Sequence, residues 1–257
     1  MSGPGRDFKD HFSGHAGQYA EFRPTYPAAL FDWLAEQSPD RALAWDCACG
    51  NGQATLALAE RFRQVIASDA SPEQIDRAVP QPNISYRVEK SERTSCESSS
   101  VSLITVAQAY HWFDHQAFHQ EAGRVLKEHG LLAVWTYPLT KIDDEVDALV
   151  YELYEHWLGP YWPPERQFID RGYRDFELPW PEIEAPAFEM TATWTMESLL
   201  GYLGTWSGLR RYMAQKGRNP LDEMRKRLED AWGDPQESKL ARWPLILRIS
   251  PKASSGY

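Results

Sequence analysis

Cysteine, long apolar runs and basic charge are all scarce in this sequence of 257 residues. The only cysteines are Cys47, Cys49 and Cys96, and an odd number without regular spacing argues against a disulfide framework. No stretch approaches the roughly 18 apolar residues of a membrane span, and no basic start followed by an apolar run indicates a signal peptide. These absences predict a protein of the reducing cytoplasm that does not span a membrane.

Acidic residues outnumber basic ones, 37 against 27, so the formal net charge is −10. A surface that binds nucleic acid normally carries a basic patch. The one notable basic cluster, between Arg210 and Arg227, is interrupted by acids, and a solvated helical face is its simpler interpretation. The charge therefore argues against nucleic acid as a partner.

The order of predicted strands and helices indicates an α/β fold. Hydrophobic residues make up 42% of the chain, which is enough for a substantial core. Asp114 is expected to cap the helix before the fifth strand, and helical patterns also follow the first and second strands. A polar, serine-rich stretch, 91–100, follows the third. Short apolar or β-branched runs predict strands over 43–47, 65–68, 84–88, 101–107 and 131–135. This alternation predicts a parallel sheet with helices on both faces.

The pattern changes after Tyr137. A long amphipathic helix is predicted over 143–158, and six prolines in 159–186 exclude a regular helix there. Two later strands are predicted over 191–195 and 240–250. The second half is therefore expected to add helices, an aromatic segment and further strands to the sheet.

The most informative segment joins the first predicted strand to the following helix, from Asp46 to Gln53 (DCACGNGQ). Gly50 and Gly52 permit positive φ and the close approach of a ligand, and the helix start offers unpaired N–H groups. A dinucleotide fingerprint has the pattern G-x-G-x-x-G, but Thr55 occupies its sixth position here. The Asp46 carboxylate would repel a diphosphate and could accept a hydrogen bond from an ammonium group. The loop thus predicts a positively charged cofactor, of which S-adenosylmethionine is the common one.

A second acid, Asp69, ends the next predicted strand. It stands 17 residues after Gly52, near the spacing of about 20 at which an acid binds ribose hydroxyls in doubly wound folds. The whole series of strand, acid, glycines, helix, strand and acid is more specific than two glycines alone. The simpler alternative is that Asp46 and Asp69 only cap the helices that follow them.

On these residues the chain resembles the class I S-adenosylmethionine-dependent methyltransferases. It is most similar to the type 11 domain and to the small-molecule group around trans-aconitate methyltransferase. The family usually has glycine where this chain has Ala48, and Pro-Gly-Gly where it has Glu128, His129 and Gly130. The segments that carry the resemblance are 19–27 (YAEFRPTYP), 46–53, 106–114 (VAQAYHWFD) and 124–132 (RVLKEHGLL).

The resemblance implies a doubly wound, mostly parallel, seven-stranded Rossmann-like sheet with a helical cap or insert. The two late strands would then form its antiparallel edge. It also implies three parts of the chain. Residues 1–137 would form the cofactor-binding core with an N-terminal lid, 138–240 the helical and aromatic insert that caps the substrate, and 241–257 the final strand of the core sheet and a tail.

The resemblance further implies which residues bind the cofactor. The glycine loop would cradle its methionine half, with Asp46 near the ammonium group, directly or through water, and Asp69 on the ribose hydroxyls. Arg23 would pair with the cofactor carboxylate, and a surface ion pair is its alternative. The implied cofactor-binding residues are Tyr19, Arg23, Asp46, Ala48, Gly50, Gly52, Gln53, Asp69, Ala70, Ser91, Glu92 and Gln108.

His111 follows the fourth predicted strand, at the sheet edge where ligands bind in such folds. It could act as a general base or orient the acceptor, and a structural histidine is the alternative. With His115 and His119 it has a spacing that would suit a metal on one continuous helix. Because Asp114 would cap that helix and nothing completes the ligand set, no metal is predicted, and His115 and His119 are expected to face solvent.

The predicted activity is methyl transfer from S-adenosylmethionine to a small molecule, by O-methylation of an organic acid. Trp206, Arg210 and Arg211 are the predicted substrate residues, since an arginine could hold an acidic acceptor. Three alternatives stay open: C-methylation of a quinone- or polyketide-like ring, cofactor binding without turnover, and, more distantly, an NAD-dependent oxidoreductase. The aromatic insert would suit the ring acceptor, because binding pockets are mostly apolar.

Overall fold

The computed structural model describes residues 24–254. Two of the predicted cofactor residues, Tyr19 and Arg23, lie outside the described residues. The strands are β1 Leu43–Cys47, β2 Gln64–Asp69, β3 Ile84–Val88, β4 Val101–Ala107, β5 Leu126–Thr136, β6 Glu189–Trp194, β7 Lys239–Pro244 and β8 Ile246–Pro251. The α-helices are α1 Ala28–Gln37, α2 Gln53–Ala59, α3 Pro72–Asp76, α4 His115–Val125, α5 Asp144–Glu152, α6 Arg166–Asp170, α7 Met196–Gly204, α8 Ser207–Lys216 and α9 Pro220–Trp232.

A central sheet has the strand order β3-β2-β1-β4-β5-β8. Its first five strands are parallel, and β8 pairs antiparallel with β5. The predicted α/β class and mostly parallel sheet are confirmed. Helices join β1 to β2, β2 to β3 and β4 to β5, because a crossover between parallel strands needs a long connection, and residues 89–100 join β3 to β4 without a helix.

The prediction of seven strands in this sheet is wrong for the described residues, which place six there. The run predicted as one strand over 240–250 forms two, β7 and β8, interrupted at Leu245. Pro244 ends β7, and the Leu245 amide donates to the Phe188 carbonyl as the next bond of the β6–β7 ladder. Strand β7 therefore belongs to a separate two-stranded ribbon with β6, and only β8 reaches the central sheet.

Both faces of the central sheet are buried, as expected for parallel strands covered by helices. Neighbouring residues of β1 point to opposite faces: Ala44 packs with Leu58 of α2, and Trp45 packs with Phe118 of α4. The Asp114 side chain accepts a hydrogen bond from the Ala117 amide, so the predicted cap of α4 is confirmed.

The insert extends the core on the α1 and α2 face of the sheet. The helix predicted over 143–158 is α-helical only to Glu152 and continues as a π-helical turn, Leu153–Trp157. Helices α7, α8 and α9 add buried aromatic and aliphatic side chains to the same cluster. Within residues 24–254 no helix is both long and apolar enough to cross a bilayer.

Candidate functional site

The carboxyl ends of four parallel strands meet at one edge of the central sheet. Asp46 lies near the end of β1, Asp69 ends β2, Ser91 and Glu92 follow β3, and Gln108 follows β4. In open α/β sheets ligands bind outside this edge, where the strand order reverses. The reversal falls between β1 and β4, so the sheet brings these five predicted residues to the expected place.

The loop after β1 adopts several left-handed backbone conformations. Ala48, Gly50 and Gly52 have φ values of 56°, 57° and 92°. A side chain with Cβ is disfavoured in this region, so Ala48 is strained where the resembled family usually has glycine. A Cβ added at Gly52 would lie 2.7 Å from the Tyr86 hydroxyl oxygen. Gly52 is thus required both for its φ and for space.

Asp46 is completely buried. One carboxylate oxygen accepts a hydrogen bond from the Thr55 hydroxyl at 2.5 Å, and the other accepts from the Thr105 hydroxyl at 2.8 Å. Removal from water raises the pKa of Asp46 to about 6, although the two hydroxyls act in the opposite direction. The carboxylate therefore joins α2 to β4 behind the glycine loop, and its bonds to side chains are not those of a helix cap.

Asp69 joins the glycine loop to the turn after β2. Its Oδ2 accepts a hydrogen bond from the Gly50 amide at 2.9 Å, and its Oδ1 accepts from the Ser71 amide at 2.8 Å. Ser71 is the N-cap residue of α3, and no described side chain accepts a hydrogen bond from the first amides of that helix, so neither bond makes Asp69 a helix cap. Asp69 and the adjacent Ala70 are half-buried, which leaves part of this corner open to a ligand.

The first residue of α2 connects the loop with the start of the described chain. The Gln53 side-chain amide donates to the Pro24 carbonyl at 2.8 Å. Tyr26 packs edge-on against Trp135 of β5, with ring centroids 5.4 Å apart. Pro24 and Tyr26 belong to the segment 19–27 that the resemblance places over the cofactor, and its described part lies against the site.

The residues after β3 and β4 complete the edge. The Glu92 carboxylate accepts from the Ser91 hydroxyl at 3.0 Å and from the Asp114 amide at 3.3 Å, so it joins this turn to the start of α4. Gln108 has a φ of 59°, and its Oε1 accepts from the Thr136 hydroxyl at 3.0 Å. Its Nε2 is buried and has no hydrogen-bond partner among the described residues. A buried donor of this kind suits an acceptor atom of a ligand.

His111 lies in a 3-10 turn, Tyr110–Trp112, directly after β4. Its Nδ1 lies 2.9 Å from the Tyr173 hydroxyl oxygen. The pKa of His111 is lowered to about 3. Burial is the main cause, and the positive charge of Arg166 acts in the same direction. An efficient general base has a pKa near the working pH. His111 is therefore neutral at pH 7 and a weak proton acceptor, which favours its predicted orienting role over that of a base.

A cavity of about 290 Å³ opens beside His111. Three phenylalanines and two histidines form most of its wall, with the carboxylate of Glu165 among them. Residues that line it include His111, Phe113, His115, Glu165, Phe168 and Phe176. The cavity combines aromatic surface with several polar side chains, since Gln167 also lines it. Polar groups in a pocket can fix the orientation of a small molecule.

His115 and His119 do not face solvent as expected, because both are partly buried against Tyr110. His115 Nε2 lies 2.9 Å from the Tyr110 carbonyl oxygen, and His119 Nε2 lies 2.6 Å from its hydroxyl oxygen. Between residues 24 and 254, no three His, Cys, Asp or Glu side chains are grouped so that they could hold a metal ion.

The predicted substrate residues lie in the insert. Trp206 is buried and packs against Trp162, with ring centroids 5.7 Å apart. Arg211 donates to the Tyr161 carbonyl at 3.2 Å, and Arg210 is half-buried on the same helix. The structure does not bring these three residues to the cavity wall described above, and their contact with a substrate stays a prediction.

Sequence reasoning missed four residues of this region: Glu165, Phe168, Tyr173 and Phe176. All come from the proline-rich segment, which forms short turns and the single helical turn of α6. Irregular backbone has no periodicity from which the direction of a side chain could be inferred. The one local signal is Gly172 before Tyr173, since glycine often marks an unusual backbone conformation.

Comparison with known proteins agrees with this geometry. A family model described as a methyltransferase domain matches residues 45–134. A Dictyostelium discoideum protein named as a methyltransferase is 34% identical over 252 residues, which cover 95% of this chain and 96% of that protein. An uncharacterized methyltransferase of Mycobacterium tuberculosis is 30% identical, and the match covers 87% of each chain. A solved structure from Anaeromyxobacter dehalogenans, named as a type II methyltransferase, has 44% identity and a TM-score of 0.85, covering 89% of this chain and 97% of that one.

Proposed function

Because this chain belongs to the class I S-adenosylmethionine-dependent methyltransferases, we propose that it transfers a methyl group from that cofactor to a small molecule at the carboxyl edge of its sheet. The observation that carries the proposal is the hydrogen bond from the Gly50 amide to Asp69. It sets a glycine loop and an acid side by side at the reversal of strand order.

The residues at this edge fit S-adenosylmethionine. The positive φ of Gly50 permits close approach of a ligand to the backbone. The half-buried Asp69 carboxylate can accept hydrogen bonds from ribose hydroxyls, and Gln108 Nε2 offers a donor that lacks a partner among the described residues. Asp46 lies behind the loop, so we propose that its carboxylate acts on the ammonium group through water or through the loop. The remaining cofactor assignments, including Tyr19 and Arg23, stay part of the proposal.

When bound, S-adenosylmethionine supplies an electrophilic methyl group on a sulfonium. The protein then has to hold the acceptor in line and to exclude water. We assign the orientation of the acceptor to His111, which is neutral and lies directly after β4. The rings of Phe113 and Phe168 are assigned to the exclusion of water, since they line the cavity beside that histidine.

An organic acid is the first class of acceptor, and O-methylation would convert its carboxylate into a methyl ester. The resemblance to the trans-aconitate group supports this class. Arg210 and Arg211 support it as well, because a guanidinium can donate two parallel hydrogen bonds to a carboxylate. These arginines lie outside the His111 cavity, so an acid held by them requires a second part of the site within the insert.

A planar ring is the second class of acceptor, and the cavity favours it. Phe113, Phe168 and Phe176 offer faces and edges for stacking, and Glu165 would repel a carboxylate placed beside it. The acceptor atom would be a ring carbon. A third alternative is binding without turnover, which the strained Ala48 supports because the loop departs from the family's glycine there.

Calorimetric titration with S-adenosylmethionine and S-adenosylhomocysteine tests the proposal. We expect micromolar binding by the wild type and its loss in Asp69→Ala. The matched control is Asp32→Ala, which removes an exposed acid that pairs with Arg61 away from the edge. Circular dichroism must show that each variant is folded. A folded wild type that binds neither compound contradicts the proposal.

The acceptor is then sought with two panels, small carboxylic acids and phenolic or quinone-like rings, by following the formation of S-adenosylhomocysteine. Turnover of acids that is lost in Arg211→Ala supports the first class. Turnover of rings that is unchanged by this substitution supports the second. Cofactor binding without turnover of either panel supports the third alternative.

A further inference from the structure

We propose that Tyr173 is a positioning residue that holds His111 in its Nε2–H tautomer, so that His111 offers an N–H donor to an oxygen of the acceptor. This inference rests on the proposed function for the identity of the site. It concerns a tyrosine of the insert, 62 residues further along the chain than the histidine that it contacts.

An unusual backbone conformation delivers the Tyr173 side chain to this place. Gly172 and Tyr173 both have positive φ, 63° and 61°, and the Tyr173 amide donates to the Phe168 carbonyl at 2.8 Å. A tyrosine rarely adopts this region. Gly172 cannot be replaced easily, because a Cβ there would lie 2.9 Å from the Ile246 side chain. Arg248 of β8 holds the Tyr173 carbonyl with its guanidinium.

Tyr173 is completely buried, so its hydroxyl requires partners within the protein. A tyrosine oxygen has one proton to donate and two lone pairs. Among the described residues, the hydrogen bond of this hydroxyl is the one to the His111 ring. A buried O–H without an acceptor is costly, so its proton needs an acceptor at that contact.

His111 Nδ1 is that acceptor, at 2.9 Å from the phenol oxygen. Since a neutral imidazole carries one proton, acceptance at Nδ1 places that proton on Nε2. The hydrogen bond from Tyr173 therefore fixes the tautomer.

The tautomer determines what His111 can do in the cavity. An Nε2–H group beside Phe113 and Phe168 can donate to a phenolic or carbonyl oxygen and cannot accept a proton at that nitrogen. The fitting acceptor is a planar ring that bears oxygen, with the oxygen on His111 and the ring between aromatic side chains. The Nε2–H group would then stabilise negative charge that is already on the oxygen of the methyl acceptor.

Nitrogen-15 NMR of protein labelled in histidine tests the tautomer directly, in the full chain and without any ligand. The His111 signals are assigned by their loss in His111→Asn. In the wild type we expect a protonated Nε2 and an unprotonated Nδ1. Tyr173→Phe keeps the ring and removes the hydroxyl, and we expect it to abolish this single-tautomer pattern.

Tyr110→Phe is the matched control, because it removes a nearby phenol whose partner is His119 Nε2. It should change the signals of His119 and leave the His111 tautomer intact. A wild type with its proton on Nδ1, or a folded Tyr173→Phe variant whose His111 signals are unchanged, overturns the proposal.

Titration of the same variants with S-adenosylhomocysteine separates this inference from the proposed function. We expect equal affinity in the wild type and Tyr173→Phe, with turnover of the acceptor found in the panels lower in the variant by on the order of 10- to 100-fold. Absence of binding by the wild type would contradict the proposed function while the tautomer result still stands. Binding with full turnover in Tyr173→Phe would contradict the positioning role.

Discussion

Asp46→Asn should increase the stability of the unliganded protein above neutral pH. The wild-type carboxylate is completely buried, and its pKa is raised from 3.8 to about 6, chiefly by loss of water. In the folded state the protonated form of Asp46 is favoured, so protonated Asp46 contributes to the free energy of unfolding. That contribution is fully present below pH 3.8 and is lost as the pH rises through about 6. A shift of roughly two units corresponds to about 3 kcal/mol.

Asparagine has nearly the same shape and no charge. Its oxygen can accept from Thr105, and its amide can donate to Thr55 after rotation of that hydroxyl. The variant should therefore lack the decline in stability between pH 4 and 7. The same change removes the negative charge that we propose acts on the cofactor's ammonium group, so we expect weaker binding of S-adenosylmethionine in a more stable protein.

Urea unfolding followed by tryptophan fluorescence between pH 4 and 8 measures this difference. The 11 tryptophans of the chain supply the signal. Asp32→Asn is the matched control, because that carboxylate is 59% exposed and its variant should follow the wild type. Parallel stability curves for the wild type and Asp46→Asn would refute the reasoning, since the buried charge would then have no linkage to folding.

Two further predictions concern the glycine loop. Ala48→Gly should stabilise the protein by about 1 kcal/mol, because relief of left-handed strain exceeds the entropy that glycine adds to the unfolded chain, and Tm should rise by about 2–4 °C. Ala109→Gly is the control, since its φ is −126° and the same change there should destabilise. Gly52→Ala should destabilise by about 1–3 kcal/mol and weaken cofactor binding, since it combines a φ of 92° with a clash against the Tyr86 hydroxyl. Adding Tyr86→Phe to Gly52→Ala removes the clashing hydroxyl and should restore part of the lost stability, measured by scanning calorimetry. No recovery would indicate that backbone strain alone is responsible.

The first half of the fold could be predicted from the sequence because its signals are local. Strands β1, β2 and β4 are short buried runs, β3 is a short alternating run at the sheet edge, and Asp114 has its capping partner three residues away. The division at Leu245 could not be predicted, because it is a change of pairing partner, from β6 for β7 to β5 for β8. Both partners lie far away along the chain, so no local signal marks the change.

The candidate site divides in the same way. The glycine loop and Asp69 could be placed because strand ends and spacing define them. Burial of Asp46 between Thr55 and Thr105 depends on residues of two other elements, so the raised pKa of Asp46 could not be predicted from the sequence. The partner of His111 lies in irregular backbone, where neither propensity nor periodicity indicates direction. The partners of Asp46 and His111 can therefore be identified only from the packed structure.

The pairing of β8 with β5 has a consequence for synthesis on the ribosome. Leu132 pairs with Ser250, so the edge of β5 stays without its partner until synthesis has passed residue 250. An apolar strand with unpaired backbone groups is a template for pairing with other chains. Nascent or C-terminally shortened protein should therefore be prone to aggregation until the last strand is added, even though all parts of the predicted cofactor site precede it.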